Sequence, residues 1–289
     1  MNTFADKVGL GWRADLAAGI LSHLDRIDML EVIADDFFDA PRRDIRALKT
    51  LASQVSVVLH GVGMGLASSV PVENERLEKM ARLVEQVRPQ FWSEHLAFVR
   101  GEGIEIGHLA APPRTVDTLN GAAENLSRAA ALAGSRPMME NIATLIDPPG
   151  STLSESAWIS GILASSDCDL LLDLHNVYAN GLNHGYDPKI FLRQIPAARI
   201  KAIHIAGGKF ISAPDGRQRL LDDHLHDVPD PVFELLEEAA ALSSNSLTVI
   251  LERDGAYPSM DCLLAQMRLA RQALARGRAR RIVAQEVFV

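Results

Sequence analysis

Seven short apolar runs in this 289-residue chain end in a histidine or a carboxylate. Val57-Val58-Leu59 leads into His60, and Phe91-Trp92-Ser93 into Glu94-His95. Met138-Met139 leads into Glu140-Asn141, and Leu170-Leu171-Leu172 into Asp173-Leu174-His175. Ala202-Ile203 leads into His204, Val249-Ile250-Leu251 into Glu252-Arg253-Asp254, and Met29-Leu30 into Glu31. One such residue is ordinarily a hydrogen-bonded or salt-bridged core group. Six consecutive runs with this ending need another reason, because imidazoles and carboxylates are costly to bury unpaired. Brought to one place, the carboxylates repel each other, and bound cations relieve the repulsion.

Strand geometry narrows the ligand choice, because successive side chains point to opposite faces. On an extended strand Asp173 and His175 share a face. Glu94 and His95 do not, nor do Glu140 and Asn141. His95 and Glu140 are taken as the inward members and Glu94 as their support or a salt-bridge partner. A further cluster, Asp222-Asp223-His224-Leu225-His226-Asp227, reads as a loop that adds Asp222 and His224. The donors are then histidine and carboxylate with no thiolate. That set suits iron, manganese or zinc and excludes copper(I) and an iron–sulfur cluster. Eight or nine ligands are too many for one ion and fit two or three ions sharing bridging carboxylates.

The elements that carry these residues alternate. Short apolar runs mark strands at 8–12, 29–34, 56–62, 91–98, 137–142, 169–177, 200–206 and 247–254. Stretches of helical period fall at 13–24, 42–53, 73–87, 116–133, 154–165, 188–194, 231–242 and 260–276. Ser154 and Asp230-Pro231 are helix-start signals. Eight strands alternating with eight helices predict a closed parallel (β/α)8 barrel, a TIM barrel, as one domain over residues 1–289. Active sites of that fold lie at the C-terminal ends of the strands. The arginines Arg271, Arg276, Arg278, Arg280 and Arg281 are expected to form a solvated face.

Composition sets bounds. Apolar residues make up 47 % of the chain, enough for a sizeable core. A net charge of −8 and a pI near 5.6 argue against partners held by bulk attraction, nucleic acid or anionic membrane. The two cysteines, Cys168 and Cys262, form no CxxC pair, and the N-terminus shows no signal peptide. With no apolar run long enough to span a membrane, the expected location is the cytoplasm.

A series of short motifs runs along the chain in order. It comprises Gly9-Leu10-Gly11-Trp12-Arg13, Leu30-Glu31-Val32, His60-Gly61-Val62, Glu94-His95-Leu96 and Met139-Glu140-Asn141. Leu172-Asp173-Leu174-His175-Asn176-Val177-Tyr178, His204-Ile205-Ala206-Gly207, Asp222-Asp223-His224 and Leu251-Glu252-Arg253-Asp254 complete it. From about residue 8 to residue 270 the chain resembles the DUF692 family, the multinuclear non-haem iron-dependent oxidative enzymes. The resemblance implies a xylose-isomerase-like TIM barrel with two or three iron ions, Fe2+ or Fe3+. It also implies use of dioxygen to oxidise a residue, often cysteine, of a ribosomally made precursor peptide. Members of the family that act in methanobactin biosynthesis and on peptide cysteines are of this kind. A small partner protein that delivers the peptide is implied too.

The carried-over ligands are His60, His95, Glu140, Asp173, His204, Asp222, His224 and Glu252. His175 stands where the family more commonly has Asn, and is an additional candidate. Asp223 replaces a usual Thr, and His226 is an extra imidazole beside it. Glu31, Glu94, Asn141, Asn176 and Arg253 would orient the ligands, with Arg253 facing either a substrate carboxylate or Glu94. The competing readings are an endonuclease IV-like phosphodiesterase and a sugar isomerase on the same barrel. The acidic chain has no basic stripe with aromatics for gripping DNA, which counts against the first.

Overall fold

The structure is a computed structural model that describes residues 4–101, 104–212 and 216–287. Its strands are β1 (Lys7–Gly11), β2 (Met29–Ile33), β3 (Ser56–Gly61), β4 (Trp92–His95), β5 (Phe98–Gly101), β6 (Ile104–Ala110), β7 (Met138–Glu140), β8 (Asp169–Asp173), β9 (Ile200–Ile205), β10 (Gly207–Ser212), β11 (Gln218–His226) and β12 (Thr248–Leu251). Its α-helices are α1 (Ala17–Leu21), α2 (Arg42–Ala52), α3 (Asn74–Val87), α4 (Val116–Ala133), α5 (Glu155–Ser166), α6 (Leu174–His184), α7 (Pro188–Gln194), α8 (Asp230–Leu242) and α9 (Met260–Val287). Eight strands close into a barrel in the order β1-β12-β9-β8-β7-β4-β3-β2. The expected (β/α)8 barrel is thus the fold. The strand interiors Val57–Leu59, Leu170–Leu172 and Val249–Leu251 are buried throughout, as strands covered on both faces must be.

Contacts group the chain into two compact units. One contains Met1–Asp28, Ala143–Asp147 and Leu172–Val289; the other contains Met29–Ile142 and Pro148–Leu171.

Local chemistry explains the boundaries. Thr115 and Thr118 form a reciprocal capping box at the start of α4, and Gly134 ends that helix with φ 70°. Ser154 caps α5, and Asp187 caps α7 with Pro188 at its first turn.

Five expectations are corrected. The strand expected at 169–177 stops at Asp173, whose Oδ1 accepts the Asn176 amide at 2.6 Å and so caps α6. His175 therefore lies in the first turn of a helix, and its pairing with Asp173 by strand alternation does not hold. The strand expected at 91–98 breaks after His95, and Phe98 opens a separate antiparallel hairpin of β5 and β6. The expected loop at 222–227 is largely β11, paired antiparallel with β10. The helix expected at 13–24 is three short pieces: the 3-10 turn Ala14–Leu16, α1, and the 3-10 turn Leu24–Arg26.

The last correction concerns α9, which continues past Arg276 to Val287. Gly277 lies inside it, and a Cβ there would strike Glu237 O and come within 2.7 Å of the Ala240 side chain. The glycine lets α9 lie against α8. Its arginines form a solvated face only in part, with Arg276 and Arg280 about half exposed. Arg278, 1 % exposed, binds Asp6 through two nitrogens and the carbonyls of Ala240, Ser243 and Asn245. Arg281 takes the Ala241 and Leu242 carbonyls. Arg276 and Arg280 bind Glu237, and Arg271 binds Asp28. Arg278 and Arg281 serve the carbonyls that the end of α8 leaves without helical partners.

Cys168 is buried, and burial pushes its thiol pKa up, whereas Cys262 is exposed. Ellman titration of the native protein at pH 8 is expected to show one fast thiol, and a second only on unfolding.

Candidate metal centre

The first cluster lies in the unit built from β2 to β7. His60 is opposite Ser93 in the β3–β4 pairing, and His95 is opposite Glu140 in the β4–β7 pairing. Register thus brings two imidazoles and a carboxylate to neighbouring strand ends. His60 Nε2 and His95 Nε2 both lie 3.4 Å from the same atom, Glu140 Oε2. All three residues are buried. The other ring nitrogens are fixed: His60 Nδ1 is 2.8 Å from Ser93 Oγ, and His95 Nδ1 donates to Gly61 O at 3.2 Å. A proton held at Nδ1 leaves a lone pair at Nε2, which is how protein scaffolds prepare histidine for a metal.

Supporting groups surround this set. Glu94 Oε1 accepts the His95 amide at 2.8 Å and Oε2 accepts the Met64 amide at 3.1 Å. Asp35 accepts the Val62 and Gly63 amides at 2.8 and 2.9 Å, fixing the turn that follows His60. Its pKa is raised by burial and by the charge of Glu94, against the pull of those amides. Glu31 and Asn141 are buried on β2 and just after β7.

The second cluster belongs to the unit holding β9 to β12. Asp173, His204 and Glu252, all buried, each offer an atom within 4.8 Å of the others. His204 Nδ1 is 3.0 Å from Glu252 Oε2. The β10–β11 hairpin adds His224, whose Nδ1 is 3.0 Å from Asp254 Oδ2 and 3.8 Å from Glu252 Oε2. Asp222 Oδ1 lies 2.8 Å from both His175 Nδ1 and His224 Nε2. Asn183 of α6 holds the hairpin in place by bonding the Leu220 amide and carbonyl at 2.8 and 3.0 Å. Asn176, in the first turn of α6, is buried.

The hairpin's charges are strongly coupled. Burial works against ionisation of Asp222, yet the charge of His224 and the bond from His175 hold its carboxyl below the usual range. Burial also opposes charge on His224, but Glu252 and Asp222 together push the ring well above the ordinary imidazole range. Asp254 is lowered to about 2, with His224 and Arg13 outweighing desolvation. Three carboxylates around one imidazole require a cation, either a second proton on the ring or a metal ion.

The residues fit a metal. Two ligand atoms about 2.1 Å from one ion sit roughly 3.0 Å apart at a right angle and roughly 3.4 Å apart at the tetrahedral angle. The nitrogen–oxygen separations of His60 and His95 to Glu140, His204 to Glu252 and His224 Nε2 to Asp222 run from 2.8 to 3.4 Å. The buried His175 Nε2 has no hydrogen-bond partner, and the buried His224 Nε2 faces Asp222 Oδ1, 2.8 Å away, without a well-formed hydrogen bond. Buried polar atoms left this way need an explanation, and an ion supplies one.

Other sites fare differently. Asp223 Oδ1 is occupied locally by the Leu225 amide and His226 Nδ1, and His226 is about half exposed. Arg253 faces neither Glu94 nor open solvent. Its guanidinium binds the carbonyls of Gly255 and Ala256 and the carboxylate of Asp227, closing the turn after β12. Ser93, Asp35 and Arg13 were not singled out by type. Ser93 has a signal in strand alternation, two residues before His95.

Gly208 has a specific task beside His175. A Cβ there would meet Leu221 O and come within 2.5 Å of His175 Cε1 and 2.6 Å of Nε2. Gly208→Ala is expected to displace the ring and weaken cobalt(II) binding by about tenfold or more, read by equilibrium titration of metal-free protein.

Comparison with known proteins agrees with this architecture. The chain is 31 % identical over 268 residues to a UPF0276 protein of Acaryochloris marina, covering 93 % of this chain and 95 % of that one. It is 31 % identical over 274 residues to a UPF0276 protein of Caulobacter vibrioides, covering 94 % and 96 %. Among solved structures it is similar to an L-ribulose 3-epimerase, with TM-score 0.61, 15 % identity and 98 % of each chain covered. A 3-keto-D-glucoside 4-epimerase from E. coli matches with TM-score 0.60 and 13 % identity over 92 % of this chain and 99 % of that one. At such identity these likenesses show the xylose-isomerase-like barrel and nothing of the reaction. Residues 7–275 match the family described as RiPP precursor modification enzyme MbnB/TglH/ChrH. The chain therefore belongs to this family of enzymes that modify the precursors of ribosomally made peptides.

Proposed function

We propose that the protein oxidises a residue of a precursor peptide, cysteine being the expected target, with dioxygen as oxidant and two or three iron ions as the cofactor. The observation that carries this reading is the pair of buried, thiolate-free histidine–carboxylate clusters in a chain of a peptide-modifying family. His60, His95 and Glu140 would hold one ion; Asp173, His204, Glu252, His224 and His175 would hold the rest, with Asp222 at their edge. The carboxylate and imidazole donors suit iron, with manganese or zinc the competing occupants. Iron held there would supply redox equivalents for dioxygen and a Lewis-acidic seat for a substrate thiolate.

The chain's own residues do the rest. The Gly61 carbonyl and Ser93 hydroxyl hold the rings of His95 and His60 in the orientation that points Nε2 at Glu140. Glu94, Asp35 and Asn183 fix the turns and the hairpin from which ligands project. Asp222 holds the proton at His175 Nδ1 and so keeps Nε2 available. A small partner protein that presents the peptide completes the reading, and the expected compartment is the cytoplasm. Among the described residues no helix is long and apolar enough to cross a membrane.

The test is a mass spectrum. The anaerobically purified, iron-loaded protein is mixed with the precursor peptide encoded nearest its gene and with that gene's small neighbour. A mass change that maps to one residue, and that requires dioxygen, is expected. A peptide unaltered in air by fully iron-loaded enzyme with its partner would overturn the reading.

A further inference from the structure

Asp254 and Arg13 lie outside the ligand set, yet Asp254 grips His224 from two sides. Its backbone amide donates to the His224 carbonyl at 3.0 Å, and its Oδ2 lies 3.0 Å from His224 Nδ1. The grip falls on a residue with φ 54°, in the left-handed region that non-glycine residues seldom adopt. The other carboxylate oxygen, Oδ1, receives Arg13 Nε at 3.0 Å and also Arg13 Nη2. The chain thus contains a line of three groups: Arg13 after β1, Asp254 after β12, and His224 on β11.

We propose that the Arg13–Asp254 pair is a positioning device that sets the tautomer of His224, keeping the proton on Nδ1 and the lone pair of Nε2 directed into the metal centre. This rests on the reading of His224 as a metal ligand. The argument is one of donors and acceptors. A carboxylate only accepts, so the nitrogen facing it must carry the proton. His224 Nε2 is buried and faces Asp222 Oδ1 at 2.8 Å, the spacing of two ligand atoms on one ion, so it is the nitrogen that would give up its proton to a metal while Nδ1 keeps its own. Arg13 only donates, so whatever stands at position 254 must offer it an acceptor.

That last point makes Asp254→Asn informative. An asparagine there can turn its oxygen to only one neighbour, and Arg13 claims it. The amide NH2 then faces His224 Nδ1, which must accept, and the ring proton moves to Nε2. The geometry survives while the ligating lone pair is lost. A carboxylate-to-amide change acts in this way, through the wrong tautomer, in the serine protease triad.

The experiment titrates metal-free protein with cobalt(II) alone, following the visible bands and the number of ions bound. Asp254→Asn is expected to weaken one cobalt equivalent by about tenfold or more, within the span that supporting residues cost, and to leave the remaining binding intact. Asp254→Ala, which imposes no tautomer, is expected to bind no worse than Asp254→Asn. The double variant Arg13→Met/Asp254→Asn frees the amide to turn, and is expected to bind more tightly than Asp254→Asn alone. Melting of the metal-free proteins reports any loss of fold separately. Asp254→Asn binding cobalt as the wild type does would overturn the proposal, and so would a double variant that is no better than the single. A wild type that takes up no cobalt or iron would instead overturn the metal reading itself, and this inference with it.

Discussion

Glu140→Gln is expected to abolish the peptide-modifying activity, by at least about a hundredfold, while the metal-free protein melts no lower than the wild type. Both parts follow from one geometry. Glu140 Oε2 is the atom that His60 Nε2 and His95 Nε2 each face at 3.4 Å, so it is the common anionic donor of the set. An amide oxygen keeps the shape and removes the charge that would hold a cation there. The side chain is 2 % exposed, and glutamine keeps its volume and shape, so the packing around it is preserved. Activity and bound metal should therefore fall together while the fold does not. The check is elemental analysis and a peptide assay beside a circular-dichroism melt.

The largest loss of stability is expected far from this site, at Arg278→Met. The guanidinium is 1 % exposed, makes five hydrogen bonds to Asp6 and three carbonyls, and lies 3.9 Å over the Phe4 ring. Methionine fills part of the volume but leaves the Asp6 carboxylate and those carbonyls without their donor. Breaking a buried pair from one side costs about 3–5 kcal/mol, which lowers the melting temperature by roughly 10 °C. Arg276→Met serves as the control. That side chain is 54 % exposed, and its bond to Glu237 is a surface pair expected to cost about 1 kcal/mol or less. Equal losses for the two variants would contradict this account of the helix end.

These two positions also show what the sequence did and did not reveal. His60, His95 and Glu140 stand out because parallel strands buried on both faces must be apolar, so a charged group at their ends is conspicuous. Arg278 gave no such sign: its acceptors lie at residue 6 and at residues 240–245, and a run of arginines looks the same whether solvated or buried. The end of β8 is hard to see in the sequence for a related reason. Leu174 to His184 contains three asparagines and a glycine, poor helix formers, and its start continues the apolar run. Capping by Asp173 and packing decided for a helix. The hairpin of β10 and β11 was hidden because its strands are polar and partly exposed, so no apolar run marks them. Ser93 and Asp254 matter through what they hold, and side-chain type alone does not signal that.

The most direct test of the central claim is the metal content of protein purified without air, counted per chain and examined by Mössbauer spectroscopy. The account predicts two or three iron ions per chain, at least part of them reduced. Stoichiometric zinc with no iron, in protein from iron-supplemented cells, would contradict it and turn attention to hydrolysis instead of oxidation.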